Sequence, residues 1–430
     1  MKFLKKMSPA RYIALGFAIV ILIGAIILYL PFTHNDGVDV KFMDALFTST
    51  SAVCVTGLIV VDTADTFNVF GQTAVAILIH IGGLGVASVG VGFILLARKK
   101  VGFKDRILVK EALNLESLKG VVKLIKAVLI MTLSFEAVGA VLSFVVFSKD
   151  YPIVKAIGIS LFHSVASFNN SGFDVLGGFR SLIPYQDNVL LNLTTSGLII
   201  FGGLGFVVIK EVIHKHSFKK LSLHAKIVIT MSVFLLVIGT LLLKATEDVS
   251  WLGAFFLSTS ARTAGFTTYA FSEFTNAGLF VMIILMFIGA SPGSTGGGIK
   301  TTTTFILIKS ALSMSTHQNC SSFKRKIPNE VIVKAFLITF LATSLVCLNT
   351  FLISFIEPEY TFMQILFEVV SAFGTVGLST GITPELSLLS EFIIILTMYV
   401  GRLGLLTIAS LWTFRTMSNV NYSEESITIG

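Results

Sequence analysis

The chain is poor in charge. Only 13% of its 430 residues are Asp, Glu, Lys or Arg, about half the ~25% usual for soluble domains, so there is too little polar surface to clothe a water-soluble fold of this length. Three cysteines, Cys54, Cys320 and Cys347, are too few and too scattered for a disulfide framework or a zinc site. The seven histidines are dispersed, with no HExxH pair, and no membrane-embedded acid pair has obvious catalytic spacing, which disfavours a membrane enzyme. What is abundant is hydrocarbon. Hydrophobic residues make up 54% of the sequence and the mean hydropathy is +0.88, so most of the surface faces lipid.

Eight segments are apolar enough to cross a bilayer core, which takes ~20 residues of helix because unpaired backbone groups are costly in lipid. They are Tyr12 to Leu30, Gly71 to Ala97, Ala127 to Phe147, Val189 to Ile209, Ile227 to Leu243, Ala277 to Ile308 with a break inside, Ala335 to Ile356, and Phe392 to Phe414. The first has Lys2, Lys5, Lys6 and Arg11 ahead of it and Pro31 and Phe32 behind it; it reads as a retained membrane helix, being longer than a signal-peptide core. An even number of spans puts both termini on one side. Of the 32 basic residues, 24 fall on the side of the termini, six on the other, and Lys300 and Arg402 inside apolar stretches. Basic residues accumulate in cytoplasmic loops, so both termini are expected in the cytoplasm, and the net charge of +8 marks orientation rather than nucleic-acid binding.

Between the spans of each successive pair lies an apolar stretch too short to cross. Aligned on a Phe ten residues before a Gly, these read FTSTSAVCVTG (47–57), FHSVASFNNSG (162–172), FFLSTSARTAG (255–265) and FEVVSAFGTVG (367–377). A second landmark follows in each later span: IGGLG from Ile81, FGGLG from Phe201, IGASP from Ile288 and VGRLG from Val400. The expected fold is an all-α polytopic membrane protein of four parallel units, each a span, a re-entrant pore helix, a glycine loop and a span. Its eight transmembrane helices and four re-entrant loops would have pseudo-fourfold symmetry around one pore. The divisions are 1–97, 98–209, 210–311, 312–414 and a cytoplasmic tail at 415–430. Units with two spans begin and end on one side, so inverted-repeat architecture is disfavoured.

Non-helical backbone at membrane depth survives only where it is buried in protein or lines a water-filled cavity. Four such loops around an axis form rings of carbonyls that can replace the hydration shell of a monovalent cation. Glycine supplies the positive φ that turns successive carbonyls toward the axis, which explains agreement at Gly57, Gly172, Gly265 and Gly377 and variation elsewhere.

The motifs TSAVCVTGL, FNNSGFD, STSARTAGF, SAFGTVGLSTG and ASPGSTGGGIKTTT resemble the Trk/Ktr/HKT superfamily of potassium transporters over essentially the whole chain, with eight spans as in the Ktr branch. The resemblance implies a selectivity filter at Val53, Cys54, Val55, Thr56 and Gly57; Phe168, Asn169, Asn170, Ser171 and Gly172; Ala261, Arg262, Thr263, Ala264 and Gly265; and Phe373, Gly374, Thr375, Val376 and Gly377. Glycine at all four final positions implies K+ selectivity, because Ser at the first accompanies sodium permeation in plant relatives. Asn169, Asn170, Ser171 and Thr375 are expected to pack or hydrogen-bond behind the filter. The resemblance further implies K+ as the transported ion, Na+ as an activator or coupled ion, and a homodimer with one pore per protomer. It also implies a separate cytosolic octameric ring of RCK/KTN type that binds ATP, ADP or NADH, with the tail ending SITIG near the dimer and ring contacts.

The third unit breaks its own pattern with GASPGSTGGGIKTTTT from Gly289 to Thr304. Glycine costs ~1 and proline ~3 kcal/mol inside a helix, so the span is expected to open at mid-membrane. The family treats such a loop as an intramembrane gate, here Gly289, Ala290, Ser291, Pro292, Gly293, Ser294, Thr295, Gly296, Gly297, Gly298 and Lys300. The near match of GSTGGGIKT to a phosphate-binding loop fails because Ile299 precedes Lys300 and membrane helices flank it. Arg402 stands where the first two units have Gly83 and Gly203; an Arg at the bilayer centre costs about 2.5 to 3.5 kcal/mol on insertion scales, so it must face inward and find acceptors, and the resemblance gives it a part in the gate. Glu136 reads as a helix-packing hydrogen bond or the partner of a basic group, with a coupling-cation site as the alternative. Glu368 and His163 read as capping or packing groups, and Arg262 is expected to point behind the filter. Asp44, Asp62, Asp65 and Asp174 would raise the local cation concentration at an outer vestibule or simply solvate a surface. The competing functional reading is a cation-coupled secondary transporter with alternating access.

Overall fold

The computed structural model describes residues 8–97, 100–112 and 118–412 together with the isolated residues 425 and 428. The expected tail at 415–430, with its dimer and ring contacts, and the basic residues Lys2, Lys5, Lys6, Arg98, Lys99 and Arg415 lie outside the described residues.

One order of elements recurs four times. The first unit runs α1 (Pro9–Tyr29), α2 (Phe42–Cys54), α3 (Thr63–Thr66), α4 (Val69–Leu84) and α5 (Val86–Leu96). After α6 (Phe103–Ala112) come α7 (Val121–Phe147), α8 (Ile153–Phe168), α9 (Val189–Leu204) and α10 (Phe206–Lys215). The third unit is α11 (Leu223–Thr246), α12 (Trp251–Ser260), α13 (Asn276–Phe287) and α14 (Thr301–Ser315). A two-stranded hairpin, β1 (Ser321–Ser322) with β2 (Arg325–Lys326), leads to α15 (Asn329–Ile356), α16 (Phe362–Gly374), α17 (Leu388–Leu403) and α18 (Leu405–Trp412).

Local chemistry sets the helix starts. Ser8 precedes Pro9 and accepts from the Arg11 amide, Ser222 and Ser250 cap α11 and α12, and Thr361 and Gln364 form a capping box on α16. These side chains satisfy amides that have no partner within the helix. The four long helices, α1, α7, α11 and α15, are apolar and long enough to cross a membrane, and their outward positions carry large apolar side chains such as Ile23, Leu133, Phe234 and Phe340. The short helices are the inner layer: Phe47, Phe168, Phe256 and Phe367 are fully buried there.

The second helix of the first, second and fourth units differs from expectation. Gly71 to Ala97 and Val189 to Ile209 are not continuous spans. Each is a pair of helices, bent by 99° between α4 and α5 and by 97° between α9 and α10. The hinges are Gly85 (φ +82°) and Gly205 (φ +90°), and Gly404 (φ +83°) separates α17 from α18; a left-handed residue cannot continue a right-handed helix, and glycine takes that conformation without steric cost. So all four second helices are interrupted, not the third alone. In the third unit the interruption is the segment 288–300, closed at its base by a parallel bridge between Ile288 and Ile299. The expected opening through Thr304 ends sooner, since Thr301 to Thr304 form the first turn of α14. Threonine costs a helix much less than glycine or proline does.

Candidate functional site

The loops that follow the four short helices meet one another. Their final glycines all have positive φ: Gly57 +91°, Gly172 +70°, Gly265 +82° and Gly377 +91°. A Cβ on Gly57 would lie 2.2 Å from the carbonyl oxygen of Ser171, on Gly172 2.8 Å from that of Ala264, on Gly265 2.3 Å from that of Val376, and on Gly377 2.1 Å from that of Thr56. Each loop therefore packs against the next, and the fourth closes on the first. The ring admits no side chain at these positions.

A second regularity was not visible in the sequence. The residue two places before each glycine is also left-handed: Val55 (φ 56°), Asn170 (φ 58°), Thr263 (φ 72°) and Thr375 (φ 50°). Three of these are β-branched, the type that disfavours this region most, and a left-handed non-glycine residue costs about 1–2 kcal/mol. The same departure in all four loops means the surrounding structure imposes it, as strained backbone at functional sites requires.

Hydrogen bonds from the short helices do the imposing. Ser51 Oγ accepts from the Gly57 amide at 3.0 Å and Ser371 Oγ from the Gly377 amide at 3.1 Å. The Ser51 and Ser371 carbonyls accept from the Thr56 and Val376 amides at 2.8 and 2.9 Å, as the Ala166 carbonyl does from Ser171 at 2.9 Å. Glu368, buried in α16, accepts from Ser379 Oγ and Thr383 Oγ1 at 2.7 Å and from the Thr380 amide at 2.8 Å, holding the chain just beyond the fourth loop. His163 Nε2 lies 2.9 Å from Thr195 Oγ1. Arg262 is buried, with its Nε unpartnered among the described residues.

The paired glycines of the second landmark have distinct tasks. The first sits against the end of its own short helix. A Cβ at Gly82, Gly202 or Gly401 would come within about 2.1 Å of the carbonyls of Val53, Phe168 and Phe373, respectively, so the second helix can approach the loop only with hydrogen there. The second glycine makes room for the next unit: Gly83 faces the Asn169 side chain. At the matching place in the fourth unit stands Arg402.

Segment 288–300 lies beneath this ring and is tied to it at several points. Thr375 Oγ1 accepts from the Gly297 amide at 3.0 Å, and Thr295 Oγ1 reaches Asn170 Oδ1 at 3.3 Å. The carbonyls of Gly203 and Gly202 accept from the Ser291 and Thr295 amides at 3.1 and 3.3 Å, and that of Gly293 from the Phe206 amide at 3.1 Å. Lys300 Nζ folds back onto the carbonyls of Gly296 and Gly297 at 2.8 and 3.2 Å. Arg402 donates to the carbonyls of Thr295, Gly82 and Gly83. The expected gate residues are thus gathered in one place, Gly289 packing against Gly297 and Gly298 and Ala290 accepting from the Thr301 amide at 3.3 Å. On the other side of the ring, Asp62 and Asp65 accept from the amides of Phe179 and Gly178 at 2.7 and 2.9 Å. Burial pushes the Asp174 carboxyl up to about 7; the nearby charges of Asp62 and Asp65 add to the rise, while the Leu176 amide and Arg180 oppose it.

Apolar crossing helices around an inner ring of buried, strained loops make a multi-pass membrane protein, and its family makes it a transporter rather than an enzyme. The chain belongs to the TrkH family of cation transport proteins, which it matches over residues 12–247 and 225–421. It is 40% identical to the potassium/sodium uptake protein NtpJ of Enterococcus hirae, over 99% of this chain and 98% of that protein. It is 35% identical to the Ktr system potassium uptake protein B of Bacillus subtilis, over 99% and 97%. The crystal structure of the potassium transporter TrkH from Vibrio parahaemolyticus shares the fold, with a TM-score of 0.72 over 93% of this chain and 84% of that one at 20% identity.

Proposed function

We propose that this protein is the pore-forming subunit of a potassium uptake system, passing K+ through the ring of loops at 53–57, 168–172, 261–265 and 373–377. The observation that carries the reading is the closed contact of the four loops, each with two left-handed residues two places apart. Such a backbone turns carbonyl dipoles toward a common axis, where they can stand in for the water around a monovalent cation. In this reading the four units at 1–97, 98–209, 210–311 and 312–414 supply eight crossings with pseudo-fourfold symmetry about one pore, both termini are cytoplasmic, and segment 288–300 with Lys300 and Arg402 is the gate beneath the ring.

Potassium is supported by the names of the relatives at 35–40% identity, and sodium, as a coupled, activating or co-transported ion, by the pairing of both ions in the name of the Enterococcus protein. A regulatory partner is supported by the Bacillus relative being one lettered component of a system. The resemblance makes that partner a cytosolic nucleotide-binding ring acting on a homodimer of this chain.

The test is K+ uptake in cells lacking their own potassium transporters, comparing the wild type with Gly57→Ser. A Cβ at Gly57 points at the Ser171 carbonyl, so the substitution should lower the preference for K+ over Na+. An unchanged ion preference would show that the ring is not the filter.

A further inference from the structure

The first helix and the short helix of three units are joined in one way. In the first, Ser49 Oγ donates to the Ile21 carbonyl at 2.7 Å; in the second, Ser164 Oγ donates to that of Glu136 at 2.6 Å; in the third, Ser258 Oγ donates to that of Leu236 at 3.1 Å. Three residues on along each long helix stands a glycine, Gly24, Gly139 or Gly239, where a Cβ would lie 2.4 Å from the same serine oxygen. The three sites share this bond and this spacing, although Ser258 stands seven residues before its final glycine where Ser49 and Ser164 stand eight, so Ile21, Glu136 and Leu236 hold the same place opposite the serine. Two are hydrocarbon and one is a carboxyl. Packing at this place therefore needs no acid, and Glu136 serves something particular to the second unit.

Its partners show what that is. Glu136 Oε1 accepts from Asn169 Nδ2 at 2.9 Å and lies 3.2 Å from His80 Nδ1. Asn169 is fully buried next to the left-handed Asn170 of the second loop, and its Nδ2 also donates to the Val165 carbonyl at 2.9 Å. Its Oδ1 faces Gly83 and has no hydrogen-bond partner among the described residues, so the bonds made by Nδ2 are what fix the amide. The equivalents of Asn169, three residues before the last glycine, are Cys54, Arg262 and Gly374, none of them an amide. His80 belongs to α4, one turn ahead of the Gly82 and Gly83 carbonyls that Arg402 holds.

We infer that Glu136 is a positioning residue for ion selection: by holding the Asn169 amide from behind, it sets the backbone of the second loop, and through His80 it registers that loop against the first unit. The inference rests on the ring being the filter. Hydrogen bonds to a charged group are stronger than neutral ones, and at this depth no water replaces a lost acceptor. Glu136→Leu copies the third unit and Glu136→Ile the first, so both replacements suit the packing site.

The experiment measures Rb+ and Na+ fluxes of the purified protein in liposomes for Glu136→Leu, Glu136→Gln and Gly172→Ser, together with thermal unfolding in detergent. Glu136→Leu is expected to lower the Rb+ to Na+ flux ratio by about tenfold, the scale of one lost charge-assisted hydrogen bond. Glu136→Gln keeps an oxygen acceptor and should stay within about threefold of wild type, for the same reason. A ratio unchanged in Glu136→Leu while Gly172→Ser alters it overturns the inference and leaves the filter reading standing. Equal loss of both fluxes with a lowered unfolding temperature also overturns it, because a merely structural residue behaves that way. If Gly172→Ser leaves the ratio unchanged, the filter reading itself fails and this inference with it.

Discussion

Arg402 and Thr295 are bonded across the interior of the protein: the guanidinium of the fourth unit donates from Nη1 to the Thr295 carbonyl in segment 288–300. Its Nη2 donates at the same time to the carbonyls of Gly82 and Gly83 in the first unit. One side chain thus joins three of the four units directly below the ring.

If that arrangement latches the segment, removing it should open a path. Arg402→Gln is expected to raise Rb+ flux through the protein reconstituted without any partner by about tenfold or more, because several charge-assisted hydrogen bonds of ~1.5–3 kcal/mol each are lost. The Rb+ to Na+ ratio should stay as in the wild type. Flux that falls, or a ratio that collapses, would make Arg402 a support of the ring rather than a latch.

Thr375 joins the ring to the same segment through the Gly297 amide. Thr375→Val keeps the β-branched shape of the left-handed position but removes the acceptor. A neutral hydrogen bond is worth ~1 kcal/mol, so basal flux should rise about fivefold, less than for Arg402→Gln. Stopped-flow flux measurements on matched proteoliposomes would resolve the order, and a reversed order would contradict the geometry.

The landmark glycines make a prediction about stability. Gly82→Ala forces a methyl group to within 2.1 Å of the Val53 carbonyl, and overpacking of this kind costs ~1–3 kcal/mol or more. Its midpoint in thermal unfolding should drop by several degrees. Gly158→Ala, where a Cβ meets nothing within 4 Å, serves as control and should match or slightly exceed the wild type.

Asp174 gives a pH dependence. Its folded-state carboxyl is raised to about 7 from the usual 3.8, so the stability it contributes is fully present below pH ~4 and is lost as the pH rises through 7. Above that pH the added negative charge should favour cations near the ring. Uptake at limiting K+ is therefore expected to rise between external pH 6 and 8, and Asp174→Asn should flatten that rise. A wild-type profile flat across this window would remove Asp174 from the route.

How much of this was legible in the sequence depended on repetition. The short helices, the four final glycines and the landmark were visible because each recurs four times at nearly constant spacing, and the break at 288–300 because Gly and Pro crowd there. Hydropathy hid the hinges: the apolar run continues through Gly85 and Gly205, and lipid-facing character says nothing about direction. The left-handed Val55 and Thr375 were hidden for the opposite reason, since local preference argues against them and only the assembled ring enforces them. Glu136 was recognisable as a buried acid, but its partners Asn169 and His80 lie 33 and 56 residues away and belong to two different units.

The closure of the ring within one chain has a genetic consequence. Every contact from Gly57 to Ser171 and onward back to Thr56 is made by a single polypeptide, so a damaged loop in one copy cannot distort the loops of another in the way a shared filter would. Variants of the ring loops co-expressed with the wild type should therefore behave additively, with activity tracking the fraction of intact chains. Variants of a shared regulatory surface have no such insulation.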